Sequence, residues 1–60
     1  MSSNEEVKQF KIVRNIKGKY QCEDAYGNVY GEADGQRVLA FLAAVKFLKE
    51  NITEKWELKY

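Results

Sequence analysis

Residues 38–48 read VLAFLAAVKFL, and only Lys46 among these eleven positions is polar. Their number and their alanine and leucine content predict a helix over residues 36–50. A helix that covers one face of a sheet needs a single apolar stripe. Helical spacing assigns to that stripe Val38, Phe41, Leu42, Val45 and Leu48.

The same run carries apolar side chains outside that stripe, at Leu39, Ala40, Ala43 and Phe47. The chain has 60 residues with one cysteine and no histidine, so neither an intramolecular disulfide nor a standard zinc site is expected to stabilise its small core. We therefore expect Leu39, Ala43 and Phe47 to be buried in a homodimer or partner interface. The alternative is burial under the chain's own segment 52–60.

Upstream of the helix, residues 10–15 alternate between apolar and polar side chains, as a half-buried strand does. A three-residue loop, 16–18, with Gly18 at positive φ, predicts a hairpin that places Ile12 opposite Cys22 and Arg14 opposite Tyr20. The second strand is expected over residues 19–26.

A two-residue turn at Gly27-Asn28 is predicted to lead into a third strand over residues 29–33. That register places Tyr30 on the sheet face away from the helix, where an open tyrosine is a candidate binding residue. Gly31 is expected to mark a bulge or the close approach of another backbone.

Asp34 is a candidate N-cap of the helix, and Asn51 a candidate residue just beyond its end. Residues 52–60 alternate again, with Trp56, Leu58 and Tyr60 on one face, which predicts a fourth strand. The expected fold is therefore α+β, in the order β-β-β-α-β, with one twisted, mainly antiparallel sheet and a single helix on one face. We expect one domain over residues 7–60, after a disordered tail at residues 1–6.

The net charge of +1 does not indicate a nucleic-acid-binding protein, but the first hairpin concentrates basic side chains. Candidate phosphate contacts there are Lys11, Arg14, Lys17 and Lys19. The alternative is a solvated strand edge in which lysines block unwanted strand pairing. The acidic residues that follow, from Glu23 to Asp34, are expected to form a solvated face.

The residues that usually carry catalysis are few. Without histidine there is no histidine general base, and Cys22 falls mid-strand on the predicted core face, as a small buried apolar residue does. We predict no catalytic residue, no cofactor and no bound metal. No apolar run reaches the roughly 18 residues of a membrane span, and the polar, acidic N-terminus does not resemble a secretory signal. A lone cysteine favours the cytoplasm.

Several motifs match a known fold. They are Gly18-Lys19-Tyr20 at the hairpin, Gly27 at the next turn, Gly31 before the helix, and Ala40 and Ala44 within it. Over residues 10–50 this order resembles the partial RNase-H-like fold of HicB-type antitoxins. The chain lacks that family's proline-aspartate turn, its threonine helix cap and its glycine spacing. The resemblance implies an antitoxin-like dimer that blocks a partner protein.

We therefore expect a small non-enzymatic binding protein, an inhibitor or regulator of the kind that phage and bacterial accessory genes encode. Its expected partners are a second copy of itself and a host or cognate protein. One alternative is nucleic-acid or nucleotide binding through the basic hairpin. Another is a structural or designed mini-protein without a ligand.

Overall fold

The computed structural model describes residues 6–60, which form an α+β fold in the predicted order β-β-β-α-β. The four strands form one mixed sheet in the order β3-β2-β1-β4, in which only the β1–β4 pair is parallel. Of the predicted tail, only Glu6 lies within the described residues. The elements are β1 (Lys8–Arg14), β2 (Tyr20–Asp24), β3 (Val29–Asp34), α1 (Arg37–Asn51) and β4 (Trp56–Lys59).

The first hairpin has the predicted register, with Ile12 opposite Cys22 and Arg14 opposite Tyr20. Gly18 has a φ of 83°, so it adopts the left-handed conformation expected of it. The backbone N–H of Gly18 donates to Asn15 O at 3.0 Å, which closes the turn. A local turn signal was therefore sufficient to fix the pairing of β1 with β2.

The second turn is longer than predicted, which changes the face that β3 presents. A two-residue turn at Gly27-Asn28 would pair Val29 with Tyr26, whereas Val29 pairs with Glu23 and Tyr30 pairs with Cys22. The difference of three positions is odd, and an odd shift moves a side chain to the other face of a sheet. Tyr30 therefore faces the helix, and its predicted position on the open face is wrong.

The stripe that the helix presents to the sheet overlaps only in part with the one predicted: Leu48 is buried and Phe41 packs against the core, as expected, but Val38 and Leu42 do not. Its buried residues are Ala40, Ala44 and Leu48, which are at most 1% exposed. Val38 and Leu42, which were expected to face the sheet, point to solvent. Two apolar stripes overlap on this helix. The stripe that contains Ala40 and Ala44 faces the sheet, because these small side chains let the helix backbone approach the sheet most closely.

The close approach occurs at Gly31. A Cβ at this position would lie 3.3 Å from Ala44 Cα and 3.4 Å from Ala43 O. Gly31 has a φ of 76° and lies where the pairing of β2 with β3 becomes irregular, between the Tyr20–Asp34 and Cys22–Tyr30 pairs. Both predictions for Gly31, a bulge and an approaching backbone, are confirmed.

The ends of the helix differ slightly from the prediction. Gln36 is the N-cap and makes no side-chain capping bond, whereas Asp34 Oδ1 accepts a hydrogen bond from the Gln36 backbone N–H at 2.9 Å. Asp34 therefore stabilises the turn that precedes the helix rather than capping it. Asn51 is the last helical residue, and the backbone N–H of Ile52 donates to Leu48 O at 2.9 Å.

The core lies between α1 and the sheet face that carries Phe10, Ile12 and Cys22. The predicted shared face of the last strand is confirmed for Trp56 and Leu58, which pack against this core from β4. The helix lies mainly over β3 and β2 and meets β1 much less. The β4 side of the core is therefore covered incompletely. Within residues 6–60, no helix has both the length and the apolarity needed to cross a membrane.

Candidate binding surfaces

The outward side of α1 exposes three large aliphatic side chains near its N-terminal end. Val38 is 46% exposed, Leu39 43% and Leu42 56%. Positions i and i+4 lie on one side of a helix, so Val38 and Leu42 are neighbours, and Leu39 lies beside them. We call these three residues the outer helix patch.

Aromatic contacts hold one flank of this patch in place. The Phe41 ring meets the Tyr60 ring edge to face, with centroids 5.4 Å apart. The Arg37 guanidinium carbon lies 5.1 Å from the Tyr20 ring centroid and 5.5 Å from that of Tyr60, within the range of cation–π attraction. Tyr60 is nevertheless 59% exposed, so it extends the apolar surface beside the helix.

The C-terminal half of the same helix is basic on its outward side. Lys46 lies four residues after Leu42 and Lys49 seven residues after it, so helical spacing places both on the side of that leucine. Both lysines are exposed. Along the outer surface of α1, the outer helix patch is thus followed by two exposed lysines, with the exposed Glu50 four residues after Lys46.

The four residues predicted for the interface lie in different surroundings. Leu39 is exposed and belongs to the outer helix patch. The backbone of Ala43 lies against Gly31, and the rings of Phe47 and Tyr30 pack on each other with centroids 5.9 Å apart. Tyr30 also meets Phe10 edge to face at 5.2 Å. Three of the four residues thus contribute to the packing of α1 on β3, and their role in binding another chain stays a prediction.

The two hairpin turns share one geometry, which the sequence signals as Asn15-x-x-Gly18 and Asp24-x-x-Gly27. Asn15 Oδ1 accepts hydrogen bonds from two backbone N–H groups of its turn, those of residues 17 and 19, at 2.9 and 3.0 Å. Asp24 Oδ1 accepts from residues 26 and 28 at 2.8 and 2.9 Å. Asn and Asp are common at this position because a short side-chain acceptor reaches the following N–H groups.

Asp24 also accepts hydrogen bonds through its second carboxylate oxygen. Asp24 Oδ2 accepts hydrogen bonds from the Tyr30 hydroxyl at 2.8 Å and from Asn28 Nδ2 at 3.1 Å. Desolvation raises the pKa of this carboxyl, but the hydrogen bonds from Tyr30, Asn28 and the Tyr26 backbone outweigh it and lower the pKa from 3.8 to about 2. The bond to Asp24 in turn raises the pKa of the Tyr30 hydroxyl. Asp24 is therefore a structural anion that fixes the second turn.

We expect Asp24 to make folding stability sensitive to acid. Its folded pKa lies below the unfolded value, so its contribution is complete above pH 4 and is lost as pH falls from about 4 to about 2. Asp24→Asn should lack this part of the acid dependence, which thermal unfolding between pH 2 and pH 7 would measure. Tyr30→Phe, which removes one donor, should raise the pKa of Asp24 in a carboxyl NMR titration. Parallel stability profiles for Asp24→Asn and the unmodified chain would contradict this assignment.

The predicted phosphate contacts divide between two places. Lys11 lies on the open face of the sheet, between Glu23 and Lys59 on the neighbouring strands. Arg14 reaches the first turn, where its Nη2 would be 3.7 Å from a Cβ on Gly18. Lys17 and Lys19 are exposed at that turn, beside the fully exposed Ile16. The turn therefore groups three of the four cations, and Lys11 is separate from them.

Cys22 lies in the core, and Glu23 belongs to a chain of hydrogen bonds on the open face of the sheet. Cys22 is 1% exposed in the core, as predicted, and burial, with the negative charges of Asp24 and Glu23, raises the pKa of its thiol to about 11. On the open face, Glu23 accepts a hydrogen bond from Gln21, which accepts one from Asn15. Among residues 6–60 no group of three or more His, Cys, Asp or Glu residues has a geometry that could hold a metal ion.

No protein-family model matches this chain, and no curated protein or solved structure matches it either.

Proposed function

We propose that this chain is a small, non-enzymatic binding protein that inhibits or regulates another protein by contact through the outer surface of α1. The outer helix patch is the observation that carries the proposal. Val38, Leu39 and Leu42 are about half exposed on α1, the one helix within residues 6–60, and the core of this domain is small. Clustered aliphatic side chains of this kind mark interaction sites more often than isolated ones do.

The arrangement of the patch fits recognition of a helix by a groove. In that mode, side chains at i and i+4 insert into apolar pockets of the partner, and here Val38 and Leu42 have this spacing. Lys46 and Lys49 continue the same side of the helix and would lie over the rim of such a groove. The partner that fits is therefore a protein with an apolar groove and acidic residues at one end of it.

The packing of α1 supports this reading. Towards its N-terminal end the helix contacts the sheet through Ala40 and Ala44, so Val38, Leu39 and Leu42 stay outside the core, whereas Leu48 is buried in it. An inhibitor of antitoxin or phage type is one form of the proposal, as the resemblance implies. The buried, unpaired thiol of Cys22 fits a cytoplasmic protein.

The test is capture of partners from bacterial lysate by the immobilised chain, followed by measurement of the affinity for the captured protein. Leu42→Glu should weaken binding about tenfold or more, because it places a charge in a desolvated contact. Ile16→Glu is the matched control, since Ile16 is fully exposed on the first turn and undergoes the same chemical change. Equal affinities for Leu42→Glu and the unmodified chain would reject the outer helix patch as the binding site.

Nucleic-acid or nucleotide binding is the second candidate, and the first turn is the observation that favours it. A recess of about 400 Å³ lies there, and two of its lining residues are Lys17 and Lys19. Contacts to phosphate weaken steeply with salt, whereas an apolar protein contact does not. If nucleic acid is captured at low salt and lost at high salt, and if Lys17→Glu with Lys19→Glu abolishes its capture, this second function replaces the first. If the chain captures neither a protein nor a nucleic acid, the third alternative, a structural module without a ligand, is favoured.

A further inference from the structure

β4 is an edge of the sheet, and its outer side has no neighbouring strand within residues 6–60. The opposite edge, β3, is interrupted by the irregular pairing at Gly31, and a bulge of this kind discourages strand addition. β4 contains no bulge, although its four-residue length and Lys59 are features that limit pairing at an edge. It is therefore the edge of this sheet at which the backbone is the more regular and the more open to pairing.

The backbone of β4 presents a defined set of hydrogen-bonding groups to that open side. The Lys8 backbone N–H donates to Lys55 O at 2.9 Å, and β1 and β4 are in parallel register. In a parallel ladder alternate residues of a strand turn their N–H and C=O towards the neighbour. Glu57 and Lys59 thus bond to β1, while the backbone groups of Trp56 and Leu58 point away from it.

The charges of β4 are complementary to those of a second β4 in one register. If two antiparallel copies meet with Leu58 opposite Leu58, the outward backbone groups pair, and Glu57 of each copy lies opposite Lys59 of the other. A shift that centres the pair on Glu57 would oppose two glutamates, and one centred on Lys59 would oppose two lysines. Opposite charges across antiparallel strands stabilise pairing and like charges oppose it.

The helix-side residues of β4 favour the same arrangement. Trp56 and Leu58 are only half-buried, because α1 lies mainly over β3 and β2. In the register centred on Leu58, the two Leu58 side chains are neighbours and Trp56 lies opposite Tyr60 of the second copy. Pairing would therefore cover apolar surface that the single chain leaves partly open.

We propose that two copies of this chain form a symmetric dimer by antiparallel pairing of their β4 strands about Leu58, which joins the two sheets into one of eight strands. The pairing uses none of the three residues of the outer helix patch, although Tyr60, which flanks that patch through its contact with Phe41, would lie opposite Trp56 of the second copy.

Charge reversal tests the pairing directly. Glu57→Lys and Lys59→Glu should each be mainly monomeric, because each homodimer would contain two like-charge pairs. An equimolar mixture of the two variants should dimerise again, since lysines at 57 and 59 of one chain then face glutamates of the other. Analytical ultracentrifugation from about 10 µM to about 1 mM would show the unmodified chain approaching twice its 7.0 kDa mass, with each single variant at least about tenfold weaker.

The variants should remain folded, because both side chains are exposed on the open face of the sheet. Circular dichroism and thermal unfolding of each variant verify this point. A monomeric unmodified chain at the highest concentration would overturn the proposal. It would also be overturned if the single variants dimerise as the unmodified chain does, or if their mixture stays monomeric. Leu42→Glu is the matched control, and it should leave the dimer intact even where it abolishes partner binding.

Discussion

Replacing Gly31 by alanine is expected to lower the free energy of unfolding by about 2 to 3 kcal/mol. The residue has a φ of 76°, a conformation that disfavours any side chain. The new Cβ would also lie 3.3 Å from Ala44 Cα in the helix backbone, which cannot rotate away as a side chain would. The helix would have to move off β3, and chemical denaturation with circular dichroism would measure the loss.

Substitutions at two other glycines distinguish the two causes of this loss, which are the positive φ and the close contact with the helix backbone. Gly27 has a φ of 86°, but a Cβ added there would meet no atom within 4 Å, so Gly27→Ala should show the cost of the backbone conformation alone. Gly35 has neither feature, and Gly35→Ala should be close to neutral. The expected order of destabilisation is Gly31, then Gly27, then Gly35. If Gly31→Ala costs no more than Gly27→Ala, the close approach of the helix does not contribute to stability.

Leu48→Ala is expected to cost about 2 to 5 kcal/mol, because it leaves a cavity in a core that cannot collapse fully. Leu48 is 0% exposed and lies where α1 meets the core cluster. A domain of this size is stable by only about 3 to 9 kcal/mol, so this single change would remove much of that margin. A large fall in the denaturant midpoint, or loss of the folded signal, is the expected observation.

Leu42→Ala is the matched control for this change, because it deletes the same atoms from a leucine that is 56% exposed on the same helix. Alanine is favourable in helices, so we expect a change within about 1 kcal/mol. Similar losses from Leu42 and Leu48 would mean that the helix is rotated relative to the orientation described above. The pair therefore measures which stripe of α1 forms the core.

The orientation of α1 connects stability with the proposed function. Small residues, Ala40 and Ala44, form the contact with the sheet, and Gly31 opposite them lacks a side chain. The larger core residues are Leu48 near the end of the helix and sheet residues that include Phe10 and Ile12. Val38, Leu39 and Leu42 near the start of the helix are left outside the core, where the proposed function needs them.

Local sequence patterns predict the α+β class, the element order, the register of the first hairpin and the bounds of α1 to within a residue at each end. These features depend on local signals, such as the alternation along β1, the positive φ at Gly18 and the apolar run at residues 38–48. The role of Gly31 could also be predicted, because glycine within a strand has few structural purposes.

The way in which these elements face one another depends on contacts between distant segments of the chain. The second turn could be read as two residues or as three, and the odd difference in register moves Tyr30 from the open face to the core. The prediction of the candidate binding surface was incomplete for a similar reason. Leu39 was predicted for it, but Val38 and Leu42 were assigned to the core, because two overlapping apolar stripes satisfy helical periodicity equally well. The choice between those stripes depends on which one lets the helix backbone reach Gly31. A glycine within a strand predicts that a backbone approaches there, but no local pattern says which residues of the helix make the contact.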